Sequence, residues 1–304
     1  MSDKLVLVTG ATGNQGGSVV NALLKNGGYQ IRALTRNVDS APAMALAEKG
    51  VEVVGGELND KESVSKACKG AYAVFGVTTP SGHDEFVLGS NLVDACKENN
   101  VEVLVWSSLP SCKDTSNGKW ACSVFDNKAE VDKYIKAVDQ PAVIFKTGGF
   151  TENLLSMSVL KRDEQDGSKY HTAFTFTTAT RLQPYTYVAK DLGPAVVAAI
   201  DKWEDPTWRA ELTKESIPLI SYQMTGKEVV ETISKLTGRE VDFTAVKREA
   251  LPPFLRELDD WTEADLWGYG DQFPVDILLK LGVKLHTLED YVREEVIPWM
   301  NKYA

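Results

Sequence analysis

The sequence predicts an α/β fold: a doubly wound, mostly parallel Rossmann sheet with a smaller C-terminal substrate-side subdomain. Three observations carry that expectation. The apolar run LVLV enters a glycine-rich turn, strand-like and helix-like patterns then alternate as far as Phe150, and beyond it the alternation breaks into Thr- and aromatic-rich segments. Regular alternation requires parallel strands joined by right-handed crossovers, with helices covering both faces of the sheet.

LVLVTG reads as a buried strand and SVVNALLKNG as the helix after it, because a continuous apolar run gives way to helical spacing. YQIRALTR is the second strand, APAMALAEKG a helix ended by Gly50, and VEVVGG the third strand. KESVSKACKG is helical and leads into the strand AYAVFGVTT; HDEFVLGSNLVDACKENN is helical and leads into VEVLVWSSL. A loop over 110–120, a helix over 128–138 and the strand PAVIFKTGGF complete a dinucleotide-binding core over residues 1–150. Residues 151–304 form a mixed region that adds late Rossmann elements and a smaller substrate- or partner-binding subdomain. There TENLLSMSVLKRD and DLGPAVVAAIDKW read as helices, whereas HTAFTFTTATRLQPYTYVA has no clean period. Next come a strand, a helix and a further strand, with Thr225 and Glu228 spaced as a capping box. The acidic, aromatic C-terminal segments suggest a small helical unit.

Acidic residues outnumber basic ones 43 to 33, for a formal charge of −10, which disfavours direct nucleic-acid binding. No stretch reaches the roughly 18 apolar residues that a membrane span needs. Cys68, Cys96, Cys112 and Cys122 form no CxxC pair and His83, His171 and His286 are scattered, so no metal site is expected. A reducing, cytoplasmic setting fits this composition, with the nucleus left open. Oligomeric state is left open as well.

The spacing Gly10-Ala-Thr-Gly13-Asn-Gln-Gly16 supplies a tight turn at Gly10, close approach to a pyrophosphate near Gly13 and close strand–helix packing at Gly16. Amides at the following helix start would face the phosphates, with Asn14 and Gln15 as further contacts. The second strand ends in Leu34-Thr35-Arg36-Asn37, without the acid that commonly binds an unphosphorylated ribose. Arg36 suits a 2′-phosphate, so NADP(H) is preferred over NAD(H). Glu57 and Leu58 fall where a loop would run beside adenine, and Thr78 and Thr79 nearer the nicotinamide half.

The stretches VTGATGNQGGSVV, IRALTRN, VEVVGGELND, VFDNKAEVDKYI, FKTGGFTENLL and TGKEVVETISKLTGREV together resemble the NmrA-like family, within the atypical short-chain dehydrogenase/reductase group. The resemblance implies cofactor contacts at Gly10, Thr12, Gly13, Asn14, Gln15, Gly16, Arg36, Thr78, Lys128 and residues 150–153, which include Phe150 and Asn153. Some members look like reductases or quinone oxidoreductases. Others look like NADP-binding regulators that sense the dinucleotide pool and contact other proteins.

A typical short-chain dehydrogenase places Tyr four residues before Lys, but Val124 stands four residues before Lys128. Lys128 and Ser108 are therefore the candidate catalytic groups for an NADPH-dependent oxidoreductase of a small carbonyl, quinone or conjugated organic substrate. The alternative is a non-enzymatic NADP(H)-binding redox sensor with a regulatory protein partner. Ser107 could bind a carbonyl or a water, and Glu152 could fix Lys128, the ribose or the pocket wall. Asn153 could instead cap the helix that follows, and Tyr134 reads as a packing aromatic. His171, Tyr185 and Tyr187 could contact substrate, Trp261 and Trp267 could rim a ligand, and Cys112 and Cys122 flank a loop that could bring them together.

Overall fold

The computed structural model describes residues 4–79, 82–175, 177–270 and 272–302. Its main sheet is built from Leu5–Val8 (β1), Gln30–Thr35 (β2), Glu52–Gly55 (β3), Ala71–Gly76 (β4), Val103–Ser108 (β5) and Ala142–Thr147 (β6). Two-residue β7 (Gly149–Phe150), then β8 (Leu160–Arg162), β9 (Tyr170–Thr172) and β10 (Gln183–Thr186) lie outside it, and β11 (Ile217–Leu219) returns to its edge. The strand order is β3-β2-β1-β4-β5-β6-β11, and every pairing is parallel. Because the order reverses between β1 and β4, the crevice for a ligand opens there, beyond the carboxyl ends of the strands. The predicted doubly wound sheet is therefore present.

Alternation along each strand divides the core between two faces. Val6, Val8, Phe75, Val105 and Phe145 join one cluster, and Leu7, Val74, Leu104 and Trp106 the other. On the first face lie the helix α1 (Asn14–Asn26) and a later helix, Val188–Lys202. They meet closely: the Ser18 hydroxyl donates to the Val188 carbonyl at 2.6 Å, and a Cβ on Gly193 would stand 2.2 Å from the Ser18 carbonyl oxygen. The next helices in the chain are α2 (Ala41–Ala47), α3 (Lys61–Cys68), α4 (Glu85–Glu98), the short α5 (Cys112–Thr115) and α6 (Ser123–Ala137). Of these, α3, α4 and α6 supply the second face through Val64, Leu92 and Val131.

Three sequence expectations need correction here. First, α6 begins at Ser123, five residues before the predicted start, because Asp126 in its first turn accepts the Cys122 amide at 2.7 Å and anchors the entry from inside the helix. Second, the loop over 110–120 contains the one-turn helix α5, capped by Ser111. Third, the helix expected from 151 to 163 is only α7 (Asn153–Ser156). Ser158 has a φ of 53°, and Leu160–Arg162 then pairs as β8 with β9.

The remaining helices are α8 (Val188–Lys202), α9 (Pro206–Thr213), α10 (Gly226–Thr237), α11 (Pro253–Glu263) and α12 (Asp276–Lys280), followed by a helical stretch through Leu288–Tyr291, Val292–Val296 and Ile297–Asn301. Between α9 and α10 the chain passes through β11 and then β12 (Tyr222–Met224), and between α10 and α11 through β13 (Val241–Asp242). Two small sheets, β12-β10-β7 and β13-β9-β8, form the smaller part of the molecule with α10 and the C-terminal helical stretch. The capping box read from sequence is present: Thr225 accepts the Glu228 amide while Glu228 accepts the Thr225 amide. By contrast, α12 does not join the small C-terminal unit, since Leu278 and Val283 pack into the main core. Among the described residues no helix is long and apolar enough to cross a membrane, and no cluster of three metal-ligating side chains occurs.

Candidate functional site

The turn from β1 into α1 is shaped by its glycines. Gly10 has a φ of 59°, a region that disfavours side chains, and its carbonyl accepts the Gly13 amide at 2.9 Å. A Cβ at Gly16 would lie 2.3 Å from the Gly10 carbonyl oxygen, so only glycine lets α1 start this close to the strand. Gly13 is the N-cap and brings no side chain to cap the helix. The Thr9 hydroxyl accepts the Val77 amide at 3.0 Å and ties this turn to the segment after β4.

A cleft of about 560 Å³ opens over the turn. Of the residues expected to hold a cofactor, Gly10, Thr12, Gly13, Asn14, Gln15, Gly16, Arg36, Glu57, Leu58, Thr79 and Phe150 line it. Thr78 does not: it is buried, and its hydroxyl has no hydrogen-bond partner among the described residues. Arg36 is exposed and forms no ion pair among the described residues. Sequence reasoning passed over His83, which also lines the cleft, 3.1 Å from the Asn59 amide nitrogen.

A second cavity of about 330 Å³ adjoins the first, with Gln15 and Phe150 in both linings. Lys128, Ser107, Ser108 and Asn153 line this second cavity, along with Phe125, Phe174, Tyr185 and Trp267. Gln15 turns its side-chain carbonyl to the Ser107 hydroxyl at 2.5 Å, so its polar end is engaged at the wall between the cavities. Asn153 is the first residue of α7 and not its cap.

Lys128 is buried, and its ammonium is paired with the buried carboxylate of Glu85. Glu85 opens α4 next to Asp84, which caps that helix and accepts the Asn127 side-chain amide at 3.0 Å. Two polar contacts therefore fasten the starts of α4 and α6 beside the second cavity. The sequence carries no sign of this, because an acid in a first helical turn usually sits in solvent against the helix dipole.

The remaining candidates of this region divide between those that reach the cavity and those that do not. Glu152 does not approach Lys128; its carboxylate accepts the amides of Val188 and Ala189, capping α8. The Tyr134 hydroxyl donates to Asp94 at 2.6 Å and its ring packs against Phe86, consistent with a packing role. Tyr185 lines the second cavity, whereas Tyr187 donates to Glu294 and His171 lies on β9, outside the lining. Trp261 is fully buried with its indole N–H on the Thr115 hydroxyl; Trp267 is the tryptophan that reaches the cavity. Cys112 and Cys122 are both buried free thiols, and burial pushes both thiol pKa values up, which makes them poor nucleophiles.

One turn beyond Lys128 on α6, Asp132 lines a separate charged cavity of about 890 Å³. Burial pushes its carboxyl up to about 6, against the opposing influence of Ser108 and of Lys146, whose ammonium is 3.9 Å away. A carboxyl whose folded pKa is raised binds its proton more readily in the folded state, so its contribution to stability is lost as pH rises toward 6. Asp132→Asn removes that loss. Urea denaturation of the two proteins should show the asparagine variant gaining about 2 kcal/mol on the parent between pH ~4.5 and ~7.5.

The family model of the NmrA-like family matches residues 2–267. The chain belongs to the NmrA-like family. It is 29% identical to the NmrA-like family domain-containing oxidoreductase cpsB of Aspergillus campestris over 283 residues, which cover 85% of this chain and 80% of that protein. A segment of 140 residues is 36% identical to the corresponding oxidoreductase hkm9 of Aspergillus hancockii, covering 44% of this NmrA-like chain and 42% of its relative. Among solved structures, NmrA, a negative transcriptional regulator in complex with NADP, superposes with a TM-score of 0.82 at 21% identity, covering 99% of this chain and 98% of that one. The same regulator in complex with NAD gives the same TM-score. At that identity the likeness establishes the fold.

Proposed function

We propose that this NmrA-like protein binds NADP(H) in the 560 Å³ cleft and acts as a dinucleotide-responsive regulatory protein that contacts a protein partner. The Gly10–Gly16 cradle, closed to side chains and set at a helix N-terminus, fits a pyrophosphate. Residues 1–150 would carry the nucleotide, and 151–304 most of the second cavity. The observation that carries the regulatory reading is the state of Lys128: its ammonium is committed to Glu85, and one turn earlier on α6 stands Val124 in place of a phenol. A lysine–carboxylate pair without that phenol is a poor proton-delivery device.

NADPH oxidation followed by absorbance, across quinones, enones, aldehydes and ketones, tests this directly. Saturable NADPH binding without substrate-dependent oxidation is the expected result; repeated turnover with any of these substrates would sink the regulatory reading. The preference for NADP(H) over NAD(H) rests on Arg36. Arg36→Ala should weaken NADPH binding about tenfold or more while leaving NADH nearly unchanged, as read by fluorescence titration with each nucleotide. Equal losses for both would remove the 2′-phosphate role.

The 330 Å³ cavity beside the cleft favours a second reading, an oxidoreductase of a small organic substrate. Bound NADPH would supply hydride there. Ser108 and Lys128 would donate hydrogen bonds to an oxygen on which negative charge develops, and the aromatic walls would exclude water.

A further inference from the structure

The charged cavity of about 890 Å³ beside Asp132 shares no lining residue with the nucleotide cleft, and only Trp267 with the 330 Å³ cavity. It lies at the β11 edge of the main sheet, where α6, the ends of β6 and β11 and the chain leading into α12 meet. The pairing registers set Ser108, Lys146 and Pro218 side by side on neighbouring strands, and alternation puts Ile144 on the same face as Lys146. On α6, Asp132 and Lys136 are four residues apart and so share a face.

The charges in the lining fall into two groups. Toward α9 and α12 they compensate one another: Lys280 bonds Glu211, and Asp276 faces the same ammonium from one turn earlier. Lys133 is likewise held by Asp114 at 2.9 Å, and Lys214 and Glu215 are neighbours in the chain. Toward β6 the compensation fails. Lys136 has no hydrogen bond or ion pair among the described residues, and the Lys146 ammonium comes only to 3.9 Å from Asp132, too far for a hydrogen bond. Asp132 is the carboxyl that both lysines face. Burial pushes its pKa up to about 6 against the opposing influence of Ser108, Lys146 and Lys136, while Tyr269 faces it with a phenol that burial keeps neutral.

Two ammoniums thus converge on one carboxyl that burial holds back from ionising, and Lys146 keeps 23% of its side chain exposed. Like charges brought together without a full counter-charge favour an anion from solution, which takes hydrogen bonds from both. The same cavity presents an apolar surface through Ile144, Pro218, Val275 and Ile277. An inorganic ion would leave that surface bare, whereas an organic acid would cover it.

We propose that this cavity binds a small organic carboxylate, with the carboxylate group between the Lys136 and Lys146 ammoniums and the hydrocarbon body against Ile144 and Pro218. The inference goes beyond the nucleotide reading and stands whether or not a nucleotide binds. Asp132 makes the binding pH-dependent. Ionised, it repels the incoming carboxylate and competes for both lysines; protonated, it does neither. Affinity is therefore greatest below about pH 6 and falls as the pH rises through that value.

Calorimetric titration of the full protein with naphthoate and with its uncharged amide, naphthamide, at pH ~5.5 and ~7.5 tests the proposal. Naphthoate stays ionised across that range, since carboxyls in water titrate near pH ~4. At pH ~5.5 wild-type protein should bind naphthoate about tenfold more tightly than naphthamide, and naphthoate should weaken about threefold by pH ~7.5. Asp132→Asn should hold the tighter affinity at both pH values. Lys146→Met and Lys136→Met should each cost naphthoate about tenfold and leave naphthamide nearly unchanged. Lys136 is exposed, so its replacement does not disturb the core, and thermal melting checks the fold of all three variants. Equal affinity of wild-type protein for acid and amide, no binding of either, an unaltered pH dependence in Asp132→Asn, or an undiminished preference in both lysine variants would each overturn the proposal. So would displacement of naphthoate by NADPH, which would put the probe in the nucleotide cleft.

Discussion

Replacing Glu85 with alanine is expected to cost this protein about 3–5 kcal/mol of stability. Lys128 is buried, and its ammonium is paired with Glu85. Removing the carboxylate leaves a buried ammonium without its partner, and the cost is that of the orphaned ion and not the net strength of the pair. The double variant Glu85→Leu with Lys128→Met removes both charges at similar volume, and it should recover most of the loss. Urea denaturation of the parent, the single variant and the double variant measures the three values. A Glu85→Ala loss below about 1 kcal/mol, the range of a solvated surface pair, would show that the contact is not desolvated in solution.

The second large effect is expected at Gly16. Valine there would drive its Cβ to within 2.3 Å of the Gly10 carbonyl oxygen and 2.6 Å of the Thr9 carbonyl oxygen, both parts of the backbone that forms the turn. Backbone atoms cannot swing aside as a flexible side chain can, so the turn must open and the start of α1 must shift. An overpacking cost near 3 kcal/mol corresponds to a loss of nucleotide affinity of about hundredfold. The neighbouring Gly17 is the control, since a Cβ there would make ordinary contact at 3.6 Å with the Ala11 carbonyl oxygen. Fluorescence titration with NADPH should find Gly17→Ala close to the parent and Gly16→Val weakened about hundredfold. Equal behaviour of the two would disconnect the cradle from nucleotide binding.

The sequence made the nucleotide half of the molecule legible because its signals are local. A continuous apolar strand, three glycines at fixed spacing and an amphipathic helix all lie within the first 26 residues; β1 and the turn occupy the predicted places, and α1 begins at Asn14, ahead of the predicted start at Ser18. Periodicity failed after Phe150 for a physical reason: β7 and β13 are two residues long and β8 and β9 three, too short for any alternation to emerge. The apolar spacing of TENLLSMSVLKRD therefore read as one helix, although Ser158 reverses the chain between a helical turn and a strand. The side chains around the second cavity were hidden by distance along the chain. Glu85 and Lys128 are 43 residues apart, Gln183 and Trp267 are 84 apart, and Glu152 finds its amide partners 36 and 37 residues later. A glutamine in a segment without a period gives no hint that its amide oxygen is held by an indole 84 residues away.

Titrating purified protein with NADPH and with NADH by nicotinamide fluorescence decides whether the cleft over the Gly10–Gly16 turn holds a nucleotide. Saturable binding of both nucleotides is expected, tighter for NADPH, with NADPH affinity lowered about hundredfold in Gly16→Val. Absence of saturable NADPH binding by the folded wild-type protein would contradict it.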